Sequence, residues 1–216
     1  MTEQFSSDVE MVLAPYRSVL AAMNNAGTLQ FSPGSPEVAL RLMRIDDRLI
    51  ANELHPVDVI ALREHYASDA RVRVTAVDAL QSVKAELPFR SRRGIILIDP
   101  PYEVADETER TALTLASGYR RFATGCFVIW YPVTTEKFAD TFIDSIARLA
   151  LPNMLRVELR VKAAIERGGL AGSGLIIVNP PFTLDDDMKM LLPALAQRLG
   201  TGNWGRGSVD WLTPPK

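Results

Sequence analysis

Residues 94–102 read Gly-Ile-Ile-Leu-Ile-Asp-Pro-Pro-Tyr, an apolar run closed by an acid, two prolines and an aromatic. Such a run, opened by Gly94 and stopped by Pro100, predicts a buried strand of a parallel sheet. Asp99 then falls at the strand's carboxyl end, where open α/β sheets bind ligands. Pro100 and Pro101 fix φ and remove two backbone donors, so the turn is stiff and its carbonyls are left to accept hydrogen bonds. A carboxylate, free carbonyls and an aromatic face can hold a planar amino group. The acceptors take its two N–H bonds, and Tyr102 stacks on the ring that carries it. Methyl transfer to an exocyclic amine such as adenine N6 needs that arrangement, because the amine's lone pair is delocalised into its ring. Acceptors placed around its protons favour a tetrahedral nitrogen and turn the lone pair toward a methyl donor, by positioning and electrostatics. The catalytic candidates are Asp99, Pro100 and Tyr102. A plain strand-ending turn is the competing reading, since Asp, Pro and aromatics are common in turns. The buried strand ahead of the turn weighs against it.

Two more acids end predicted strands upstream. Glu53 closes Leu49-Ile50-Ala51-Asn52-Glu53, and an acid at the end of a strand in a nucleoside-binding sheet can chelate a ribose diol. Asp78 follows the β-branched alternation of residues 71–77 and can accept from the amino group of a bound adenine. Ser35-Pro36 opens a helix of about ten residues through Arg44, with Ser35 as N-cap and Pro36 in the first turn. Its free N–H groups suit an anion. Singly, each acid reads as a surface or capping residue. At successive strand ends, on one edge of one sheet with Asp99, they point to a nucleoside cofactor.

The elements that position these residues alternate. Helices are predicted over residues 8–25 (ended by Gly27), 36–44, 56–66, 79–86, 107–121 and 134–149, the last capped by Thr134 or Thr135. Strands are predicted over residues 48–54, 71–77, the Asp99 run, 126–131 (stopped by Pro132), 155–161, 174–178 and 208–212. A Gly-rich loop covers residues 168–173 and an irregular segment residues 200–207. Alternation of this kind predicts an α/β, doubly wound, mostly parallel sheet that ends in an antiparallel C-terminal hairpin.

The chain has 216 residues, 47% hydrophobic and 23% charged, which suits one globular domain with a sizeable core. A net charge of −2 argues against broad nonspecific nucleic-acid binding. Local basic clusters remain: Arg90, Arg92 and Arg93 ahead of the Asp99 strand, and the pair Arg120-Arg121, each most simply a solvated surface. The single cysteine, Cys126, sits in an apolar run, and His55 and His65 are the only histidines, so neither a disulfide framework nor a zinc or multi-histidine metal site is expected. No signal peptide or membrane-length apolar run appears, and a cytoplasmic location is expected.

The first motif has an echo, Gly174-Leu175-Ile176-Ile177-Val178-Asn179-Pro180-Pro181-Phe182. An Asn amide oxygen can also accept from an amine. Topology favours the first copy: Asp99 shares its edge with Glu53 and Asp78, whereas Asn179 follows a strand expected to be antiparallel.

Asn52-Glu53-Leu54-His55-Pro56, Val77-Asp78-Ala79, residues 92–103 around Asp99, residues 118–125, Trp130-Tyr131-Pro132 and the Ser173–Pro181 segment together resemble the RlmJ-type 23S ribosomal RNA adenine-N6 methyltransferases, from about Phe31 onward. The resemblance implies a Rossmann-like methyltransferase sheet, S-adenosyl-L-methionine as cofactor and 23S ribosomal RNA as substrate, the RNA expected to be free of protein. It implies a catalytic Asp99 that also lies beside the cofactor, and a cofactor site lined by Ser35, Glu53, Asp78 and Ala79. Position 79 is usually Gly in the family.

The resemblance also implies a departure. Family members carry an N-terminal segment with the first strand and a Gly-rich cofactor loop, and no Gly-x-Gly loop follows a strand before Glu53 here. Residues 1–30 look like the helical insertion that follows that loop, and residues 31–216 like the Rossmann-like core, within a single domain. The absent strand would lie between the Glu53 and Asp99 strands, which predicts exposed edges on both and weak or no cofactor binding. Two alternatives accompany the leading expectation: a DNA adenine-N6 methyltransferase, which would have to flip its base from a duplex, or a non-catalytic remnant that binds RNA or a protein.

Overall fold

The computed structural model describes residues 5–24, 28–102, 106–165 and 169–215. The chain divides into two compact units, Met1–Ser82 and Val83–Lys216. The first holds α1 (Ser7–Met23), α2 (Ser35–Leu42), β1 (Leu49–Asn52), α3 (Pro56–His65) and β2 (Val72–Thr75), and α4 (Ala79–Glu86) begins in it. Ser6 caps α1, and the helix buries Val9 and Val19. Gly27, the expected end of this helix, lies outside the described residues.

One expectation on α2 needs correction. Its N-cap is Gly34 rather than Ser35, and the helix ends at Leu42 rather than Arg44. Ser35 is already the first helical residue, so its hydroxyl cannot cap, and Gly34 takes the extended conformation that a cap requires. At the other end, the Arg44 backbone N–H turns out of the helix to Asp47 Oδ2 at 2.9 Å.

β1 and β2 pair in parallel, Leu49 opposite Val72 through Asn52 opposite Thr75, with α3 as the crossover. A polar cluster ties α2 to the end of α3. Glu37 accepts from Arg41 Nε at 2.5 Å and from the Tyr66 hydroxyl at 3.2 Å, with His65 Nε2 at 3.6 Å. Burial raises the Glu37 carboxyl, but these donors outweigh it and hold the group below its usual range. Burial, together with the Glu37 charge, pushes Tyr66 up to about 12.

The second unit holds β3 (Ile95–Ile98), α5 (Glu107–Arg121), β4 (Cys126–Val133), α6 (Glu136–Ala147), β5 (Met154–Arg160), β6 (Gly172–Val178), α7 (Leu184–Leu199) and β7 (Arg206–Thr213). The sheet order is β3-β4-β6-β5-β7. β3 and β4 are parallel, and the β4–β6, β6–β5 and β5–β7 pairs are antiparallel. The α/β fold with parallel strands and an antiparallel C-terminal end is as expected, although the antiparallel part is a four-strand array rather than a hairpin.

Among the described residues β1 pairs only with β2 and β3 only with β4. β3 leaves Ile95 and Leu97 exposed.

Alternation along β4 assigns its two faces. Phe127, Ile129 and Tyr131 are fully buried with Leu115 of α5 and Phe142 and Ile146 of α6. Cys126 and Val128 pack on the other face with Leu155, Val157, Ile177, and Leu192 and Met188 of α7. The sequence reading does not include α7. Three acids in its first turn favour a helix start, and Pro193 stands inside it as Pro15 stands inside α1.

Tyr131, Gly174 and Glu158 lie side by side across β4, β6 and β5. The tyrosine hydroxyl donates to Glu158 Oε2 at 2.7 Å. A Cβ on Gly174 would come within 2.1 Å of the Tyr131 ring, so only glycine lets the ring reach its partner.

Candidate active site

β4 continues through Pro132 instead of stopping there, because the ladder asks nothing of that nitrogen. The Cys126 N–H donates to the Gly94 carbonyl at 3.1 Å, so the even-numbered residues of β4 present their backbone toward β3. The last pair of the β3–β4 ladder is Ile98 with Ile129. Beyond it, the Pro132 nitrogen and the Trp130 carbonyl both face the side that β3 has left. Pro132 has no donor to lose there, and the Trp130 carbonyl needs a donor from elsewhere.

Tyr102 supplies that donor through its hydroxyl. Asp99 leaves β3, Pro100 and Pro101 forbid any return to the ladder, and the chain reaches Tyr102 at φ +56°. Left-handed backbone is unfavourable for a bulky residue and persists only where contacts hold it. Here the Tyr102 ring lies 5.4 Å from Phe142 at 80°, 5.9 Å from Phe138 at 90° and 5.9 Å from Trp130, centroid to centroid. Burial, with the nearby Asp99 and Glu107 charges, pushes its hydroxyl far up, so it stays a donor.

Against this fixed wall Asp99 is exposed, and its carboxylate makes no hydrogen bond or ion pair among the described residues. Partial burial raises its carboxyl above the usual range. The Asp99, Pro100 and Pro101 carbonyls accept no hydrogen bond from any described residue. Unused acceptors on a stiff turn whose two prolines bring no N–H are complementary to an N–H-bearing group.

The first unit carries the other predicted residues. Glu53 directly follows β1 and Asp78 comes shortly after the parallel β2, so the two acids share one edge of that sheet. Asp99 ends a strand of the other sheet, so the expectation of three acids along one sheet edge is corrected to two acids there and one on the second sheet. The strands divide between two sheets, and only β1 and β2 are paired to each other. Glu53 accepts from the His55 N–H at 2.8 Å. Asp78 Oδ1 accepts from the Leu80 N–H at 3.0 Å and so opens α4 at Ala79, a capping role in itself. Ser35 is exposed in the first turn of α2.

Sequence reasoning missed Asn52. Its side chain donates to the Val77 carbonyl at 2.8 Å and accepts from Thr75 Oγ1 at 2.8 Å and the Val77 N–H at 3.2 Å, fixing the loop that carries Asp78. It also missed the part played by Phe138 and Phe142, whose i,i+4 spacing on α6 was the available signal.

The residues near the acids fit a nucleoside cofactor. Each acid ends a parallel strand beside an exposed apolar side chain, Leu54 at 60% and Val77 at 38%, against which a base can lie.

Comparison with known proteins places the chain in a family. The chain is 39% identical over 207 residues to the ribosomal RNA large subunit methyltransferase J of Escherichia coli, covering 96% of this chain and 74% of that protein. It is 37% identical over 212 residues to the protein of the same name from Haemophilus influenzae, again 96% of this chain and 74% of the relative. Among solved structures, protein LPL1258 of Legionella pneumophila superposes with a TM-score of 0.84 at 29% identity, over 95% of this chain and 78% of that one. A family model described as ribosomal RNA large subunit methyltransferase D, RlmJ, matches residues 4–213, and the chain therefore belongs to the RlmJ family of ribosomal RNA methyltransferases.

Proposed function

We propose that this chain methylates the N6 amine of an adenine in 23S ribosomal RNA, with S-adenosyl-L-methionine as methyl donor. The observation that carries the reading is the unpartnered Asp99 carboxylate on a turn held by Tyr102 and two prolines. Family membership supports RNA methylation; the unused acceptors of the turn support an amine as the methylated group.

In this reading Asp99 accepts one N–H of the amine and the Pro100 carbonyl the other. Both bonds strengthen as positive charge builds on the nitrogen, so they favour the transition state over the bound substrate. The Tyr102 hydroxyl stays on the Trp130 carbonyl, and its ring forms the wall on which the base rests. Glu53 holds a ribose diol, Asp78 and the first N–H groups of α4 meet the cofactor's adenine, and Ser35 opens a helix whose N–H groups suit its carboxylate. The cofactor, when bound, supplies an electrophilic methyl group on a sulfonium.

The test is transfer of labelled methyl to 23S ribosomal RNA stripped of protein, with the product digested to nucleosides. N6-methyladenosine from the wild type and none from Asp99→Ala is expected. Preferred methylation of duplex DNA would replace the substrate assignment. Full activity of Asp99→Ala would remove the aspartate from the chemistry. Titration with S-adenosylhomocysteine, compared between wild type and Glu53→Ala, tests the cofactor assignment separately.

A further inference from the structure

Arg90 and Arg92 lie in the loop before β3, and Arg121 ends α5 just before β4. They line one open cavity of about 460 Å³ together with Phe89, Phe122 and Thr124. All three arginines are exposed, and among the described residues none of their guanidinium groups makes an ion pair or hydrogen bond. A helix C-terminus accounts for Arg121, which complements the dipole. It does not account for Arg90 and Arg92, which stand on no helix. Three unpaired cations converging on one cavity, in a chain of net charge −2, call for an anionic occupant.

The cavity also explains the second motif. β6 runs antiparallel to β4, with Val178 opposite Phe127, so Asn179 emerges at the end of the sheet away from Asp99. Its side-chain nitrogen donates to the Ala123 carbonyl at 2.8 Å and the Gly125 carbonyl at 2.9 Å. Asn179 therefore braces the turn that walls the cavity. Three residues further on, Phe182 is 100% exposed. Exposed arginines around an open cavity suit a nucleic-acid strand, whose phosphates their guanidinium forks can take.

We infer that the Arg90–Arg92–Arg121 cavity anchors single-stranded RNA flanking the target adenine. The inference rests on the RNA-methylation reading above. At about 3.3 Å per residue the cavity lies on the order of 15 Å from Asp99 along β3.

The experiment compares binding of a protein-free ribosomal RNA fragment by the wild type, Asp99→Ala and an Arg90→Gln/Arg92→Gln/Arg121→Gln variant, at several salt concentrations. The triple variant is expected to bind about 10–100-fold more weakly near 0.1 M salt. The slope of log K against log salt should fall by about 2, since each single-strand phosphate contact contributes about 0.7. Asp99→Ala should bind like the wild type. In methyl transfer the triple variant should show a raised KM for RNA with kcat retained, and RNA trimmed back close to the target adenine should erase the difference from wild type. An unchanged affinity and slope in the triple variant overturns the anchor and leaves the methyltransferase reading standing. No RNA binding by the wild type overturns both. The Arg90→Gln/Arg92→Gln pair, confined to a loop, carries the same test at about 5–20-fold should the triple variant prove unstable.

Discussion

Residues 99–102 and residues 179–182 are two copies of one sequence idea, a strand followed by a polar residue, two prolines and an aromatic. The structure uses them oppositely. Asp99 leaves a parallel strand with its carboxylate unpartnered among the described residues, and Tyr102 behind it is anchored to the Trp130 carbonyl. Asn179 leaves an antiparallel strand at the other end of the sheet, its amide already engaged by the Ala123 and Gly125 carbonyls, and Phe182 behind it is fully exposed. One copy leaves its polar group without a partner among the described residues and packs its half-buried aromatic against Phe138, Phe142 and Trp130; the other satisfies its polar group within the fold and leaves its aromatic open. Strand direction, rather than the motif, decides at which end of the sheet each copy emerges.

The sharpest way to break this contrast is to truncate both polar residues. Asp99→Ala is expected to lower methyl transfer about 10²–10³-fold, the usual effect of losing one preorganised charge-stabilising group, with little change in Tm. Asn179→Ala should do the reverse. It removes two hydrogen bonds to backbone carbonyls and places alanine at φ +54°, so about 1–3 kcal/mol of stability is lost while kcat stays within a few-fold of wild type. Thermal melts and turnover on both variants check it, and a large kcat loss in Asn179→Ala with an unchanged Tm would show that the second copy also does chemistry.

Next in size is Gly174, inside the second motif's strand. Gly174→Ala drives a methyl into the Tyr131 ring and threatens its bond to the buried Glu158, for an expected cost of about 1–3 kcal/mol. A melting temperature lower by roughly 2–8 °C would follow for a domain of this size. The aromatic pair gives a smaller contrast. Tyr102→Phe leaves the Trp130 carbonyl without its donor and should lose about 1 kcal/mol, whereas Phe182→Ala should leave Tm unchanged.

Much of this was legible in the residues. α4 and α5 begin and end where periodicity places them, and strand order along the chain placed Asp99 at a carboxyl edge. Three things were not legible, each because a non-local contact overrides a local rule. α7 tolerates Pro193, because packing of Leu192, Met188 and Leu184 against the sheet supplies what the missing hydrogen bond does not. β4 runs through Pro132, because the neighbouring strand has already ended on the side its nitrogen faces. The hold on Tyr102 joins residues 28 apart in sequence, a distance no spacing pattern reports.

The subtlest contrast is electrostatic, between Asp99 and Asp69. Burial holds the Asp99 carboxyl above its ordinary value of 3.8, so the folded state takes up a proton more readily than the unfolded chain. Stability then falls as pH rises through that window, and at neutral pH the ionised Asp99 is a burden that the fold carries. Asp69 is the opposite case. Hydrogen bonds from the Arg71 side chain and backbone lower it to about 2, so its contribution is fully present above 3.8 and is lost as pH falls from there to about 2. Asp99→Asn is therefore expected to raise Tm slightly at pH 7, by about 1 °C, with the gain vanishing below pH 4. Asp69→Asn should lower Tm at pH 7, with that loss vanishing toward pH 2. Melts of both variants against wild type across pH 2–7 check the two signs together. A destabilised Asp99→Asn at neutral pH would mean the carboxylate has a partner in the folded state, and the case for an open acceptor would fall with it.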